Sequence, residues 1–275
     1  MPIPPYTGPE TRASLDILRQ LLPDLPEPVV VLGGWGVRFL VNDRWRAETG
    51  QDYFGSRDID LGFHTPPGAT LERLKAGNLP ATVRYLDSKG FTRQGMYSFV
   101  RYFNWDDDAP LTPEEAGRLP THNCYIVTVD LIVSHERGDL REIVGFRPFS
   151  EPMLAHVFED STRRVNIEVG GKTVWVPAPH VILGMKLTSL PERTKDDKAM
   201  KDLCDIYALI AHSGVPLASL RSRASEIASD YRRLVLQARE SESLGQAAEH
   251  LGITGDVLWN ALNGLLPGRL PSRNR

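Results

Sequence analysis

The chain has 275 residues, 41% of them hydrophobic and 24% charged, enough to bury one large core or two smaller ones and too apolar for general disorder. With 32 Lys and Arg against 35 Asp and Glu the formal net charge is -3, so contact with nucleic acid must come from local basic patches. Only Cys124 and Cys204 occur, in separate apolar segments, which excludes a disulfide framework or a cysteine zinc site and fits a reducing compartment.

"MPIPPYTGPE" has neither the basic nor the apolar region of a signal peptide, and no run approaches the ~18 apolar residues of a membrane span, so a soluble, cytoplasmic chain is expected. No internal repeat is present. A first helix is expected from Glu10 to about Leu22, with Leu15, Leu18, Leu21 and Leu22 at helical spacing before Pro23. "PVVVLGG" (28–34) reads as a short buried strand ending in a glycine turn, and Trp35 to Val41 as a helix leaving that turn. "GSRDIDLGF" (55–63) gives a strand from about Asp58 to Phe63, then a helix through Leu71, Leu74 and Leu86.

Residues 90–103 pattern as paired strands around a glycine turn, and the acidic, Pro-containing stretch from Asp106 to Thr121 as a surface insertion. "CYIVTVDLIVS" (124–134) is rich in β-branched residues. "RRVNIEVGGKTVWVPAP" alternates apolar residues about a glycine pair, a hairpin. Beyond Pro179 the pattern turns helical, placing a mixed domain over 1–178 and a helical one over 179–275. The tail "LPGRLPSRNR" has no periodicity and should fray.

Residues two apart on a strand face one side, so Asp58 and Asp60 form a carboxylate pair. Like charges that close repel, and a shared cation relieves them. Mg²⁺ is the natural candidate, because hard divalent ions choose carboxylate oxygens and leave positions for water and phosphate. Asp130, in the middle of "IVTVDLIV", is costly to bury unpaired and is a third candidate ligand. Three carboxylates could hold two metal ions, with Mn²⁺ an alternative to Mg²⁺, and that arrangement suits phosphoryl or nucleotidyl transfer. Gly33 and Gly34 would let backbone N–H groups approach a phosphate at a positive helix end, and Ser56 could donate to the same group. Singly, each feature has a structural explanation: a solvated strand edge, an ordinary turn, a partnered mid-strand aspartate. Their order and spacing together point to a site.

"GGW", then "GSRDIDL", then a later strand "VTVDLI", resembles the nucleotidyltransferase superfamily typified by DNA polymerase β. The resemblance implies a polymerase-β-like α+β domain, a mixed sheet with helices, followed here by the helical C-terminal domain. It implies Asp58, Asp60 and Asp130 as Mg²⁺ ligands, with Gly33, Gly34 and Ser56 around the nucleotide phosphates. The superfamily turn is often GS, so the share of Ser56 against Gly34 stays open.

In the helical half, Lys186 sits among Ile182, Leu183, Met185 and Leu187, where it either snorkels to the surface or turns into a cleft. Asp202 and Asp205 share a helix face, and Lys201 to Asp205 is an i,i+4 ion pair. "KLTSLPERTKDDKAMKDLCDIYAL" is similar to the C-terminal motifs of AbiEii-type toxins of type IV toxin-antitoxin systems. That likeness implies phosphate binding by Lys186, an active-site carboxylate at Asp205, contributions from Arg193 and Asp202, an NTP substrate, a tRNA or other RNA acceptor and a cognate antitoxin. Arg44, Arg46, Arg57, Arg163, Arg164, Arg232 and Arg233 are candidates to grip RNA.

Two other readings remain. The same metal site would serve transfer to a small molecule such as an aminoglycoside. "QAAEHLGITGDVLWNAL" (246–262) has helix-turn-helix spacing, but its second helix offers Asp256, Trp259, Asn260 and Asn263 and no cation for phosphates, which favours a packed helical pair over a DNA-binding regulator. The seven histidines show no metal-ligand spacing, and Ser56 lacks a neighbouring base to make it a hydrolytic nucleophile.

Overall fold

A computed structural model describes residues 6, 8–95 and 97–266. The tail beyond Leu266, and the Pro-rich opening apart from Tyr6, Gly8 and Pro9, lie outside the described residues. The elements in chain order are α1 (Pro9–Leu21), β1 (Val30–Val31), α2 (Gly33–Thr49), β2 (Asp58–Phe63), α3 (Leu71–Lys75), α4 (Asn78–Ser88), β3 (Thr92–Gln94), β4 (Ser98–Asn104), β5 (Pro110–Leu111), α5 (Pro113–Arg118), β6 (Cys124–Val133), α6 (Leu140–Val144), β7 (Phe149–Ser150), α7 (Leu154–Glu159), β8 (Arg164–Val169), β9 (Lys172–Pro177), α8 (Pro179–Ser189), α9 (Asp196–His212), α10 (Leu217–Ile227), α11 (Tyr231–Arg239), α12 (Leu244–Leu251) and α13 (Gly255–Gly264). They fall into two compact units. One takes the chain through Gly36 and again over Phe54–Pro177, and the other takes Val37–Tyr53 and everything from Ala178.

The first unit is built on one mixed sheet in the order β3-β4-β6-β2-β1-β9-β8, with β5 beside β4 and β7 beside β6. Its centre is the parallel pair β2–β6, in register from Asp58 opposite Thr128 to Phe63 opposite Val133. Ile59, Leu61, Phe63, Val129, Leu131 and Val133 form one face and are 0–3% exposed. Burying an apolar side chain of this kind contributes about 1.5–3 kcal/mol, and a one-residue slip of either strand would turn its three outward, so the pattern locks the register. The hairpin read at 163–179 is β8–β9, turned by Gly170 and Gly171, both at positive φ.

Two expectations need correction. The helix read through Leu71, Leu74 and Leu86 is two, α3 and α4, parted at Gly77. The helix read from Trp35 to Val41 runs on to Thr49, because Val37, Val41 and Trp45 recur every fourth residue and are all buried. The insertion at 106–121 is largely exposed but holds α5, which Thr112 and Glu115 close with a reciprocal capping box.

The second unit is helical. On α9, Met200, Leu203, Cys204, Ile206 and Leu209 are buried, and this helix packs against α8, α12 and α13. α8 is apolar on nearly every side and also packs against α10 and α11. The helical pair read at 246–262 is α12 and α13, broken by Gly252 in the left-handed region and packed on α9 rather than standing apart.

Candidate functional site

The glycine turn opens beside the carboxylates for a local reason. β1 and β2 are antiparallel, Val31 opposite Leu61, and the ladder is continued by the Leu32 N–H donating to the Asp60 carbonyl at 2.9 Å. The next residue, Gly33, adopts φ +59° and starts α2. A Cβ built there would stand 1.8 Å from Asp60 Oδ2, so the Asp60 carboxylate occupies the place where any other side chain would be. Gly33 is thus required twice, by its left-handed backbone and by its neighbour. Gly55 repeats the device one turn before the strand, where a Cβ would meet the Trp35 ring at 2.2 Å. Trp35 is held by donating its indole N–H to Ser14 Oγ at 2.9 Å.

Asp130 pairs with Asp60 in the β2–β6 register, so Asp58, Asp60 and Asp130 lie on one sheet face, all half-buried, opposite the aliphatic face. Ser56 is buried two residues ahead of Asp58. Three acidic positions on one face beside backbone N–H groups are a donor set suited to a hard divalent cation and phosphate oxygens. Among the described residues no group of three or more His, Cys, Asp or Glu is gathered to hold a metal ion.

Lys186, Arg193, Asp202 and Asp205 come together in the second unit. Lys186 neither snorkels nor ends free. It is 8% exposed, with its ammonium 2.5 Å from Asp202 and 2.8 Å from Asp205. Arg193 Nε donates to the other Asp202 oxygen at 2.6 Å. Lys201 donates to Asp205 from one turn earlier on α9, the i,i+4 pair read from the sequence. The Tyr53 hydroxyl donates to the same carboxylate at 2.8 Å. Burial opposes a charge on Lys186, yet Asp202 and Asp205 outweigh it and hold the ammonium well above its ordinary pKa. Burial likewise works to raise Asp202, but Lys186 and Arg193 overcome it and keep that carboxyl below its usual value. For Lys201 burial wins and its pKa is lowered, with Asp205 opposing and Lys186 adding to the fall. Burial, then Asp205, pushes the Tyr53 phenol well up.

Tyr53 is the member of this cluster that sequence reasoning missed. In "GQDYFGS" it is one of two adjacent aromatics in a polar and glycine context without periodicity, and its partner is 152 positions away.

Several arginines read as RNA contacts have local duties. Arg46 is bound to Asp52, Arg163 to Asp160 and Arg233 to Asp230. Arg164 lies 3.8 Å over the Trp175 ring, Arg57 lies 4.8 Å over Tyr6, and the Arg44 guanidinium lies against Gly214. On α13, Trp259 is covered by Arg239 at 4.2 Å, while Asp256 and Asn260 are exposed. Both cysteines are free thiols. Among the described residues no helix is long and apolar enough to cross a membrane.

Residues 140–271 match the family model of the nucleotidyl transferase AbiEii toxin, type IV TA system. The match contains Lys186, Arg193, Asp202 and Asp205 and does not extend to the strands bearing Asp58, Asp60 and Asp130. No curated protein matches the chain. Among solved structures the chain resembles an antigenic nucleotidyltransferase-like protein from Paracoccidioides brasiliensis, at 16% identity, over 91% of this chain and 97% of that one, with a TM-score of 0.44.

Proposed function

We propose that this chain is the toxin of a type IV toxin-antitoxin pair, moving a nucleoside monophosphate from an NTP to a hydroxyl of an RNA acceptor, a tRNA among the candidates. The observation that carries this reading is the Gly33–Asp60 contact, with Asp130 in register beside it: a glycine turn opening a helix and acidic side chains meet at the centre of the sheet.

In this reading Asp58, Asp60 and Asp130 hold Mg²⁺, one ion or two, with Mn²⁺ able to substitute. The metal, when bound, supplies charge neutralisation at the leaving pyrophosphate and lowers the pKa of the attacking hydroxyl. The N–H groups at Gly33 and Gly34, with the Ser56 hydroxyl, orient the triphosphate at the positive start of α2. Asp130 accepts the proton of the acceptor hydroxyl as its oxygen attacks the α-phosphorus and the bond to pyrophosphate breaks. Lys186 is a phosphate ligand whose flanking carboxylates keep it charged despite burial, and Asp205 fixes its position. The antitoxin would be a separate protein encoded nearby.

The decisive experiment incubates the full chain with each labelled NTP, Mg²⁺ and total RNA, beside Asp60→Ala. Label should pass to RNA and fall about 100-fold or more in the variant, since even partners of metal ligands contribute 10- to 100-fold. Transfer to a small aminoglycoside alone would move the acceptor to the second enzyme class. Equal transfer by Asp60→Ala would remove the carboxylate site from the reaction.

A further inference from the structure

The carboxylate face continues past Asp130 to an exposed aromatic ring, Phe149, with the half-buried Tyr97 beside it. β2 pairs with β6 as far as Val133, so β7, which pairs with Ile132 and Val133, lies on the other side of β6. β4 occupies that same side up to Ser98 opposite Asp130. Phe149 on β7 is in register with Ile132, two residues from Asp130 and therefore on its face. At strand spacings of about 3.3 Å along and 4.8 Å across, Phe149 stands about 8 Å from Asp130, backbone to backbone. It is 50% exposed, the most open of the large apolar side chains among the described residues. Its ring centroid lies 5.8 Å from that of Tyr97, the residue leading into β4.

Across the sheet the order is therefore the glycine turn, Asp58 and Asp60, Asp130, and then the two rings. Transfer at phosphorus places the attacking oxygen and the leaving group in line on opposite sides. If the glycine turn takes the leaving end of the triphosphate, the acceptor must enter from the far side, past Asp130. Phe149 leaves half of its side chain open there, with Tyr97 tilted against it at 48°, and an open ring face suits a base, because every nucleobase has a face that stacks on an aromatic.

We propose that Phe149 and Tyr97 form an acceptor platform that stacks the terminal base of a single-stranded RNA beside Asp130. The proposal rests on the functional reading above and adds to it the acceptor's class and its direction of approach.

The test uses the full chain, a labelled oligoribonucleotide with an intact 3′-terminal adenosine, and the same oligonucleotide with an abasic 3′ end. Binding is followed by fluorescence anisotropy and transfer by label from Mg-NTP. Phe149→Ala should weaken binding of the intact oligonucleotide about tenfold and raise its KM alike, leaving the KM for NTP and the thermal midpoint unchanged. Phe149→Trp should restore binding. The wild-type chain should prefer the intact end, and Phe149→Ala should lose that preference. Equal binding by wild type and Phe149→Ala, or a rise confined to the KM for NTP, overturns the platform. The anisotropy comparison needs no chemistry. If Asp60→Ala transfers as well as wild type, the catalytic reading falls, while loss of end preference in Phe149→Ala still upholds the platform.

Discussion

Gly33 carries two constraints at one atom. Its φ of +59° disfavours any side chain, and the Asp60 carboxylate fills the space a side chain would need. Gly33→Ala should lose about 1–3 kcal/mol from backbone strain alone and should also push Asp60 out of place. We expect a lower urea midpoint together with a fall in transfer larger than the stability loss explains. Gly50, at φ +74° with open space around it, is the control: Gly50→Ala should carry strain and leave transfer intact. The place of Asp60 on the polar face of β2 was legible because strand alternation set it apart from Ile59 and Leu61. The contact of Asp60 with Gly33 was not, since no local pattern reports which strand residue a turn will meet.

Among elements, the segment from Val37 to Tyr53 is the least expected. Its helix continues through "NDRWRAET", where polar residues dilute the stripe formed by Val37, Val41 and Trp45, and sequence reading ended it early. Its end is fixed by side chains. Arg38 and Arg46 hold Asp52, Trp45 meets both Tyr53 and His212 edge-on at about 5 Å, and the Tyr53 hydroxyl donates to Asp205. Tyr53→Phe removes one donor from a carboxylate that is 0% exposed, which should cost about 1–3 kcal/mol. Tyr85→Phe, whose hydroxyl serves the exposed Asp24, should cost much less in the same urea titration. α12 and α13 show the opposite case, because Gly252 and the Thr254 cap signal locally where one helix ends and the next begins.

Taken as a whole, the molecule should be most stable from neutral to mildly alkaline pH. His64, His156, His212 and His250 are all pulled below 6.5, chiefly by burial. The unfolded chain therefore takes these protons first, and stability falls as pH drops below 6.5. Asp202, held below 3.8, adds a contribution that persists above that value and is lost as pH falls through its folded pKa. On the alkaline side Lys186, raised above 10.5, keeps its contribution until pH passes its folded value. Lys201, lowered from 10.5, acts in the reverse sense, gaining stability as pH rises toward 10.5. Calorimetry should give a lower midpoint at pH 5 than at pH 8, with a smaller difference in His250→Gln. Equal midpoints at the two pH values would contradict the burial of these rings.

Most strands were legible because alternation and turn glycines are local signals: β2 runs from Asp58 to Phe63 as read. The division into units was less so. The second unit draws on residues more than 120 positions before its main body, and composition changes only where that body begins. The ion cluster was half legible, since i,i+4 spacing announces Lys201 and Asp205 while nothing in the order of residues announces Lys186 between two aspartates.

The Gly33–Asp60 contact also bears on how this gene can change. Every missense change of a glycine codon installs a side chain, so no amino-acid neighbour of Gly33 within one mutational step leaves the carboxylate where it is. A lineage that acquired such a change would need a second substitution at Asp60 to relieve it, at the expense of an acidic residue on the sheet face. The two positions are therefore coupled in inheritance: a change at 33 displaces the carboxylate at 60 and puts it under pressure to change as well.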